Sequence, residues 1–297
     1  MTSEPALRAS RADRLALDAR ALRPTVVLAA IYVFVWLIAP FVEFIAPAFG
    51  GSRPASHAGD VFGLLGDQST LADYFFSSVA FSIILIAAVI TVLRWWRIIQ
   101  FEPTRLRPRA FAVLPWLTTA AFALAVIIGI AATPNPSPSL VALQAVAMLG
   151  IVFVEEIGWR GVAVVGLRGS RFPEWSVWLI TSAGFALMHL LNLVGGADIE
   201  STVFQLVFTF LLGTACYLGR RAGGLWLAVA VHFTNNFLQA AAQGSVDSPL
   251  FGVVNALALV GQILLLLSLP ATIVLLVLEA RRARRGVASA GDRADAP

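Results

Sequence analysis

The sequence contains little charge. Only 13% of its 297 residues are charged, whereas 59% are hydrophobic, and the mean hydropathy is +0.83. A soluble domain has about a quarter charged residues, so this composition excludes an ordinary globular protein. It also excludes intrinsic disorder, because disordered chains combine low hydrophobicity with high charge. The class that remains is a membrane protein that crosses the bilayer several times.

Lysine is absent, and cysteine occurs once. All 21 basic residues are arginine, a bias typical of a GC-rich bacterial genome. Cys216, the single cysteine, lies in an apolar run and cannot form a disulfide within the chain. The pI of about 10.2 could indicate nucleic-acid binding. In a membrane protein it more often reflects arginine in cytoplasmic loops, so we expect no nucleic acid as a partner.

Long apolar segments are what the chain has in abundance. Most of them have the ~20 residues that a helix needs to cross ~30 Å of hydrocarbon, and glycine and proline separate them. The eight segments are 25–47, 75–93, 111–132, 140–167, 174–194, 203–219, 224–243 and 251–278. The sequence therefore predicts an all-α fold, a polytopic transmembrane helix bundle of about eight spans.

The positions of the arginines predict the orientation of this bundle. Nineteen of the 21 lie in the two tails or in even-numbered connections, and Arg53 lies in an odd-numbered one. The positive-inside rule then places both termini in the cytoplasm, in a multi-pass protein of the bacterial inner (cytoplasmic) membrane. The predicted parts are an Arg-rich tail (1–24), N-terminal transmembrane helices (25–139), core helices (140–243), a last transmembrane helix (244–280) and a second Arg-rich tail (281–297).

Few ionisable residues remain within the predicted spans, and such residues are costly there and indicate functional sites. Glu43 lies near the outer end of a span interrupted by proline, and we interpret it as structural. The other five are Glu155, Glu156, Arg160, His189 and His232. At a rise of ~1.5 Å per residue, they reach a similar depth on three different helices. The structural alternative is a polar network that only holds the helices together.

Helical spacing separates the roles of the two adjacent glutamates. Glu156 and Arg160 are four residues apart, so they can pair along one face of a helix. Glu155 points about 100° away and lacks that partner, which leaves it available as a general base or acid. His232 and Asn236 share a face in the same way and can donate hydrogen bonds to an oxyanion. This combination predicts acyl hydrolysis by an activated water.

The same residues form three ordered motifs. Residues 155–160 have the pattern E-E-x-x-x-R, residues 185–189 have F-x-x-x-H, and residues 232–236 have H-x-x-x-N. In this order, on three membrane helices, the sequence resembles the CPBP family of intramembrane proteases. That family includes the Rce1-type CAAX prenyl endoprotease and bacterial Abi or bacteriocin-immunity proteins. The resemblance covers about residues 140–243, and the other spans carry no matching motif.

The resemblance implies an enzyme that hydrolyses a peptide bond of a membrane-associated protein or peptide, in a site that opens towards the cytoplasm. It implies that Glu155 activates the water and that His189 assists. It further implies that His232 and Asn236 stabilise the tetrahedral oxyanion. The residues that it assigns to supporting roles are Glu156, Arg160 and Phe185. The partners expected are the substrate and the lipid bilayer.

We expect no metal, because the H-E-x-x-H signature is absent and the resemblance implies a glutamate-type protease. If zinc were bound, its ligands would be Glu155, His189 and His232, since two histidines and one glutamate are a known catalytic set. Two other functions remain open. One is a non-catalytic immunity or scaffold protein that binds a membrane partner. The other is a transporter that uses the same polar cluster, although the sequence has no inverted repeat.

Overall fold

The structure is a computed structural model. It describes residues 72, 76, 79–102, 106, 109–170, 172–194 and 196–294. The predicted N-terminal tail, the predicted span 25–47, Glu43 and Arg53 lie outside the described residues. Within the described part of the chain all secondary structure is helical, so the predicted all-α class is confirmed there.

The helices follow one another with short connections. In chain order they are α1 (Ala80–Leu93), α2 (Trp96–Gln100), α3 (Ala110–Ala132), α4 (Pro138–Glu156), a π-helical segment (Ile157–Ala163), α5 (Val164–Gly169), α6 (Glu174–Leu187), a 3-10 turn (Met188–Leu190), α7 (Leu191–Val194), α8 (Ile199–Gly223), α9 (Leu225–Gly244) and α10 (Phe251–Ala294). Local sequence explains where several of them begin. Ser137 caps α4, with Pro138 as its first residue, and Asp198 caps α8 by accepting from Ser201 N at 2.8 Å.

Five helical segments among the described residues are long and apolar enough to cross a membrane, as expected for a multi-pass membrane protein. They are Ala110–Ala132, Pro138–Gly169, Glu174–Leu193, Ile199–Gly223 and Phe251–Arg282. These correspond to five of the predicted spans. The predicted segment 75–93 contains a shorter apolar helix, Ser82–Val92. The segment 224–243 forms α9, which has the length of a span but carries several polar side chains.

Helix α9 lies at the centre of the bundle, where it packs against α3, α4 and α8. Helix α3 packs along α10 as well, and α8 packs along α6. Because α9 is surrounded by protein, it can carry polar side chains at a depth where lipid contact would be costly. The largest hydrophobic core lies around it and includes Phe122, Met148, Phe185, Leu212 and Val231.

Gly224 makes the tight turn between α8 and α9. Its φ of +83° lies in the region that side chains rarely adopt, and a Cβ would lie 2.7 Å from the carbonyl oxygen of Gln100. The turn folds α9 back along α8. Cys216 precedes Gly224 by eight residues and His232 follows it by eight, so these two side chains lie at a similar depth on adjacent helices.

Arginines at one end of the bundle are buried in ion pairs. The sequence prediction treated Arg168, Arg220 and Arg221 as loop charges, but Arg220 is 0% and Arg221 is 3% exposed. Carboxylates from other helices neutralise them. The pairs are Arg168–Glu102 (2.9 Å), Arg168–Glu174, Arg221–Glu174 (3.3 Å) and Arg221–Glu279 (2.7 Å). Arg220 also donates to the carbonyl oxygens of Ile99 and Phe101. These contacts join α5, α6, α8 and α10 to one another and to the segment that follows α2.

Candidate active site

The first motif lies where a regular helix changes into a π-helix. Glu155 and Glu156 are the last two residues of α4, and Arg160 lies in the π-helical segment Ile157–Ala163. A π-helical turn holds more residues than an α-helical turn and occurs frequently at functional sites. The Glu156–Arg160 pair that the spacing predicts is formed across it. Arg160 Nη1 lies 3.0 Å from Glu156 Oε1, and both side chains are fully buried.

Arg160 is held from two other sides. Its guanidinium carbon lies 4.5 Å from the centroid of the Phe185 ring, a favourable cation–π distance. On α8, Gly213 leaves the space that the guanidinium occupies. A Cβ at this position would lie 2.8 Å from Arg160 Nη2 and 3.3 Å from Phe185 Cδ1. The second motif therefore packs directly on the first through Phe185, and a glycine outside the motifs makes this contact possible.

His232 lies between the two glutamates. Its Nδ1 is 2.9 Å from Glu156 Oε1, and its Nε2 is 3.5 Å from Glu155 Oε2. Among the described residues Glu155 forms no ion pair with Arg160, as the helical spacing predicts, but it has another partner. Its partner comes from α9, which spacing within α4 cannot reveal. The side chain of Glu155 is 13% exposed and that of Glu156 is 0% exposed, so Glu155 is the more accessible of the two carboxylates.

His189 lies in the 3-10 turn that follows α6. Its Nδ1 is 3.0 Å from the carbonyl oxygen of Phe185, and since a carbonyl only accepts, Nδ1 donates and Nε2 faces away. The Phe185 ring contacts both imidazoles edge to face, at centroid distances of 5.2 Å from His189 and 5.5 Å from His232. Within the described residues, His189 makes no hydrogen bond or ion pair with Glu155. The predicted partnership of these two therefore requires a group between them.

Asn236 follows His232 by one helical turn, and its amide is held by a chain of two further amides. Asn235 Nδ2 donates to Asn236 Oδ1 at 3.1 Å, and Gln262 Nε2 on α10 donates to Asn235 Oδ1 at 3.3 Å. With its oxygen engaged, Asn236 is oriented so that its Nδ2 remains available as a donor.

The three residues that would be the ligands if zinc were bound do not come together in the structure. Glu155, His189 and His232 form no group of three within coordinating distance of one another. The group that does so, among the described residues, is Glu156, Cys216 and His232, whose ligand atoms all lie within 4.8 Å of one another. Carboxylate, thiolate and imidazole are all ligands of zinc, so the residues present fit a metal through a different donor set.

Three residues near the site were not predicted from the sequence: Gln262, Asn235 and Cys216. Gln262 had a visible signal, because it is a polar side chain within the apolar segment 251–278. Because an amide carries no charge, however, it indicates a functional site less clearly than an ionisable side chain does. The sequence signal for Cys216 is its distance from Gly224, which equals the distance of His232 on the other side. This spacing places the two side chains at one depth only if the chain turns at Gly224.

The family comparison agrees with the motifs. Residues 136–238 match the family model described as "Type II CAAX prenyl endopeptidase Rce1-like". The matched segment covers about a third of the chain and contains all three motifs. The resemblance inferred from these motifs is thereby confirmed over this segment. No curated protein and no solved structure matches the chain.

Proposed function

We propose that the protein is an intramembrane endopeptidase of the CAAX-protease type, which hydrolyses a peptide bond of a membrane-associated protein or peptide. The observation that carries this proposal is the contact of His232 with both Glu155 and Glu156, formed between two separate motifs inside a membrane helix bundle. The match of residues 136–238 to the Rce1-like family model supports the same reaction class.

In the proposed reaction, Glu155 is the general base. It is the more exposed of the two glutamates and takes a proton from a water molecule as the oxygen of that water attacks the peptide carbonyl carbon. His189, whose Nε2 is not engaged by the Phe185 carbonyl, assists Glu155 through a bridging water or through the substrate. When the tetrahedral intermediate collapses, the proton on Glu155 passes to the leaving amine.

His232 and Asn236 stabilise the oxyanion of this intermediate. Nδ1 of His232 donates to Glu156, so the ring is oriented with Nε2 towards Glu155 and the reacting carbonyl. A doubly protonated ring donates from Nδ1 to the carboxylate and from Nε2 to the oxyanion. Asn236 supplies the second donor from its Nδ2. Donors held in place before the reaction are the most effective form of such stabilisation.

Glu156 and Arg160 form the support of the site. The carboxylate of Glu156 is shared between Arg160 and His232, so it orients the imidazole while its own charge stays neutralised. Phe185 covers the guanidinium and contacts both imidazole rings. We propose that the site faces the cytoplasm and that the protein lies in the inner membrane with both termini cytoplasmic.

A search for the substrate tests the proposed function. It compares cells that carry either the wild-type protein or the Glu155→Ala variant. Membrane fractions are compared by quantitative proteomics of protein termini. We expect at least one membrane-associated protein to accumulate uncleaved in the variant cells and to be processed in the wild type. If the two sets of termini are identical although both proteins are inserted at equal levels, the non-catalytic scaffold function replaces the protease.

A variant of the last helix tests the amide chain. Gln262→Leu removes the hydrogen bond to Asn235, and a hydrogen bond of this kind contributes about 1 kcal/mol, so we expect kcat to fall roughly fivefold while KM stays unchanged. The measurement is steady-state cleavage by the purified protein. Gln243→Leu, at an exposed position near the end of α9, is the matched control.

A double variant tests whether Gln262 acts by positioning the amide of Asn236 or by a general effect on packing. In an Asn236→Ala background, the Gln262→Leu change is expected to cause no further loss, because the donor that the chain positions is already absent. Additive losses in the double variant would show that Gln262 acts elsewhere, since residues acting through one another are non-additive.

A further inference from the structure

Cys216 is a fully buried cysteine that the proposed reaction does not use. It is the single cysteine of the chain and lies on α8 at 0% exposure. The turn at Gly224 brings it to the depth of His232. Its sulfur therefore faces the glutamate and histidine of the candidate active site, whereas a purely apolar environment is usual for a structural cysteine.

Three potential ligand atoms converge at this point. One atom each from Glu156, Cys216 and His232 lies within 4.8 Å of the others, and all three residues are at most 2% exposed. In a tetrahedral zinc site, bonds of about 2.0–2.3 Å place neighbouring ligand atoms roughly 3.3–3.8 Å apart. A shift of about 1 Å or less in side chains therefore closes the site.

One oxygen of the Glu156 carboxylate receives no hydrogen bond from a nitrogen or oxygen donor. Its Oε1 accepts from Arg160 and from His232, whereas its Oε2 is buried and accepts no N–H or O–H hydrogen bond from the described residues. The side-chain donor left to this carboxylate is the weak S–H group of Cys216. A cation bound to Oε2 takes the place of this weak donor and leaves the ion pair with Arg160 intact.

We propose that Glu156, Cys216 and His232 form a binding site for a thiophilic divalent cation such as Zn²⁺ or Cd²⁺, and that a bound cation inhibits the enzyme. Binding displaces the thiol proton of Cys216 and the Nδ1 proton of His232 into solvent, because a thiolate and an unprotonated ring nitrogen are the forms that coordinate. Nε2 of His232 keeps the remaining proton of the ring, which is then neutral. With Glu155, Glu156 and the thiolate ionised, three negative charges balance the divalent cation and Arg160. Soft thiolate ligands favour Zn²⁺ and Cd²⁺ over Mg²⁺ and Ca²⁺.

The inhibition rests on the proposed function, whereas the binding does not. A cation on His232 replaces the hydrogen bond between His232 and Glu156 and draws the ring towards Cys216. The ring then loses the position beside Glu155 in which it would stabilise the oxyanion. The site thus differs from a catalytic zinc centre in its position, because its ligands lie on the Nδ1 side of His232, whereas Glu155, the proposed base, lies on the Nε2 side.

The binding test is spectroscopic. The purified full chain in detergent is titrated with Cd²⁺ or Co²⁺, and thiolate-to-metal charge-transfer absorption is recorded. Because the chain has one cysteine, this band can arise from Cys216 alone. We expect a saturable band at one equivalent, absent from Cys216→Ala and from Cys216→Ser, which provides an isosteric second variant.

Two histidine variants decide between the donor sets. His232→Ala is expected to weaken Cd²⁺ binding by at least about tenfold, whereas His189→Ala is expected to leave it unchanged. A band that persists with equal affinity in His232→Ala would overturn the site, since it would then report a thiol alone. The absence of any band in the folded wild type would overturn it as well.

The activity test separates this proposal from the proposed function. Micromolar Zn²⁺ is expected to inhibit cleavage by the wild type, while Cys216→Ala retains basal activity and becomes insensitive to Zn²⁺. Cleavage that Zn²⁺ inhibits equally in both proteins would contradict the inhibitory role. If the charge-transfer band forms but no substrate is cleaved, the metal site stands and the protease function fails.

Discussion

Glu155→Gln is expected to abolish peptide-bond cleavage while the protein still folds and inserts. Glutamine keeps the shape of the side chain and its contact with His232, but it cannot take a proton from water. Loss of a general base typically lowers the rate about 100- to 10,000-fold. The measurement is kcat of the purified variant on the substrate found by proteomics, together with its unfolding curve in detergent.

Glu200 provides the matched control for this variant. It is an exposed glutamate in the first turn of α8, outside the candidate active site. Glu200→Gln is therefore expected to cleave at the wild-type rate. If Glu155→Gln kept more than a tenth of the wild-type kcat, the assignment of Glu155 as the base would be wrong, and Glu156 would be the next residue to test.

Arg160→Met is expected to destabilise the whole bundle. The guanidinium pairs with Glu156 at 3.0 Å, and both side chains are fully buried. Removing one partner of a buried ion pair leaves an uncompensated charge and costs about 3–5 kcal/mol. The variant also loses the contact with Phe185. We expect the free energy of unfolding to fall by about this amount, as measured by reversible unfolding in mixed micelles.

A double variant shows whether the uncompensated charge of Glu156 causes the loss of stability in Arg160→Met. Glu156→Gln combined with Arg160→Met leaves no net charge behind, so it is expected to be more stable than Arg160→Met alone, although it still lacks the support of His232. Stability of the single variant equal to that of the wild type would contradict the pairing. Equal destabilisation of the single and double variants would indicate lost packing instead of lost charge balance.

Much of the fold follows from local properties of the sequence. Uninterrupted apolar segments of sufficient length predict membrane helices wherever they occur, because each helix satisfies its own backbone hydrogen bonds in lipid. Five predicted spans correspond to helices long and apolar enough to cross a membrane. The pair of Glu156 and Arg160 follows likewise from spacing along one segment. The number of spans and the orientation of the termini remain predictions.

The sequence does not reveal which of the few charged residues are buried in ion pairs. Arg220 and Arg221 read as loop charges because they adjoin Gly223 and Gly224. They are nevertheless buried, and their charges are compensated by ion pairs with Glu102, Glu174 and Glu279 from three other parts of the chain. The sequence shows that an arginine lies near the end of a helix. Only the packing of the helices shows whether a carboxylate lies close enough to pair with it.

The sequence by itself determined which helices form and which of their faces carry polar groups, because both depend on neighbours within a few residues. Only the tertiary structure decided that His232 bridges Glu155 and Glu156, that Cys216 lies beside them, and that Gln262 supports Asn235. Each of these contacts joins two helices, so it depends on how far each helix is rotated about its axis and shifted along its neighbour. Helical periodicity leaves that rotation and shift undetermined, and packing of the complete core sets them.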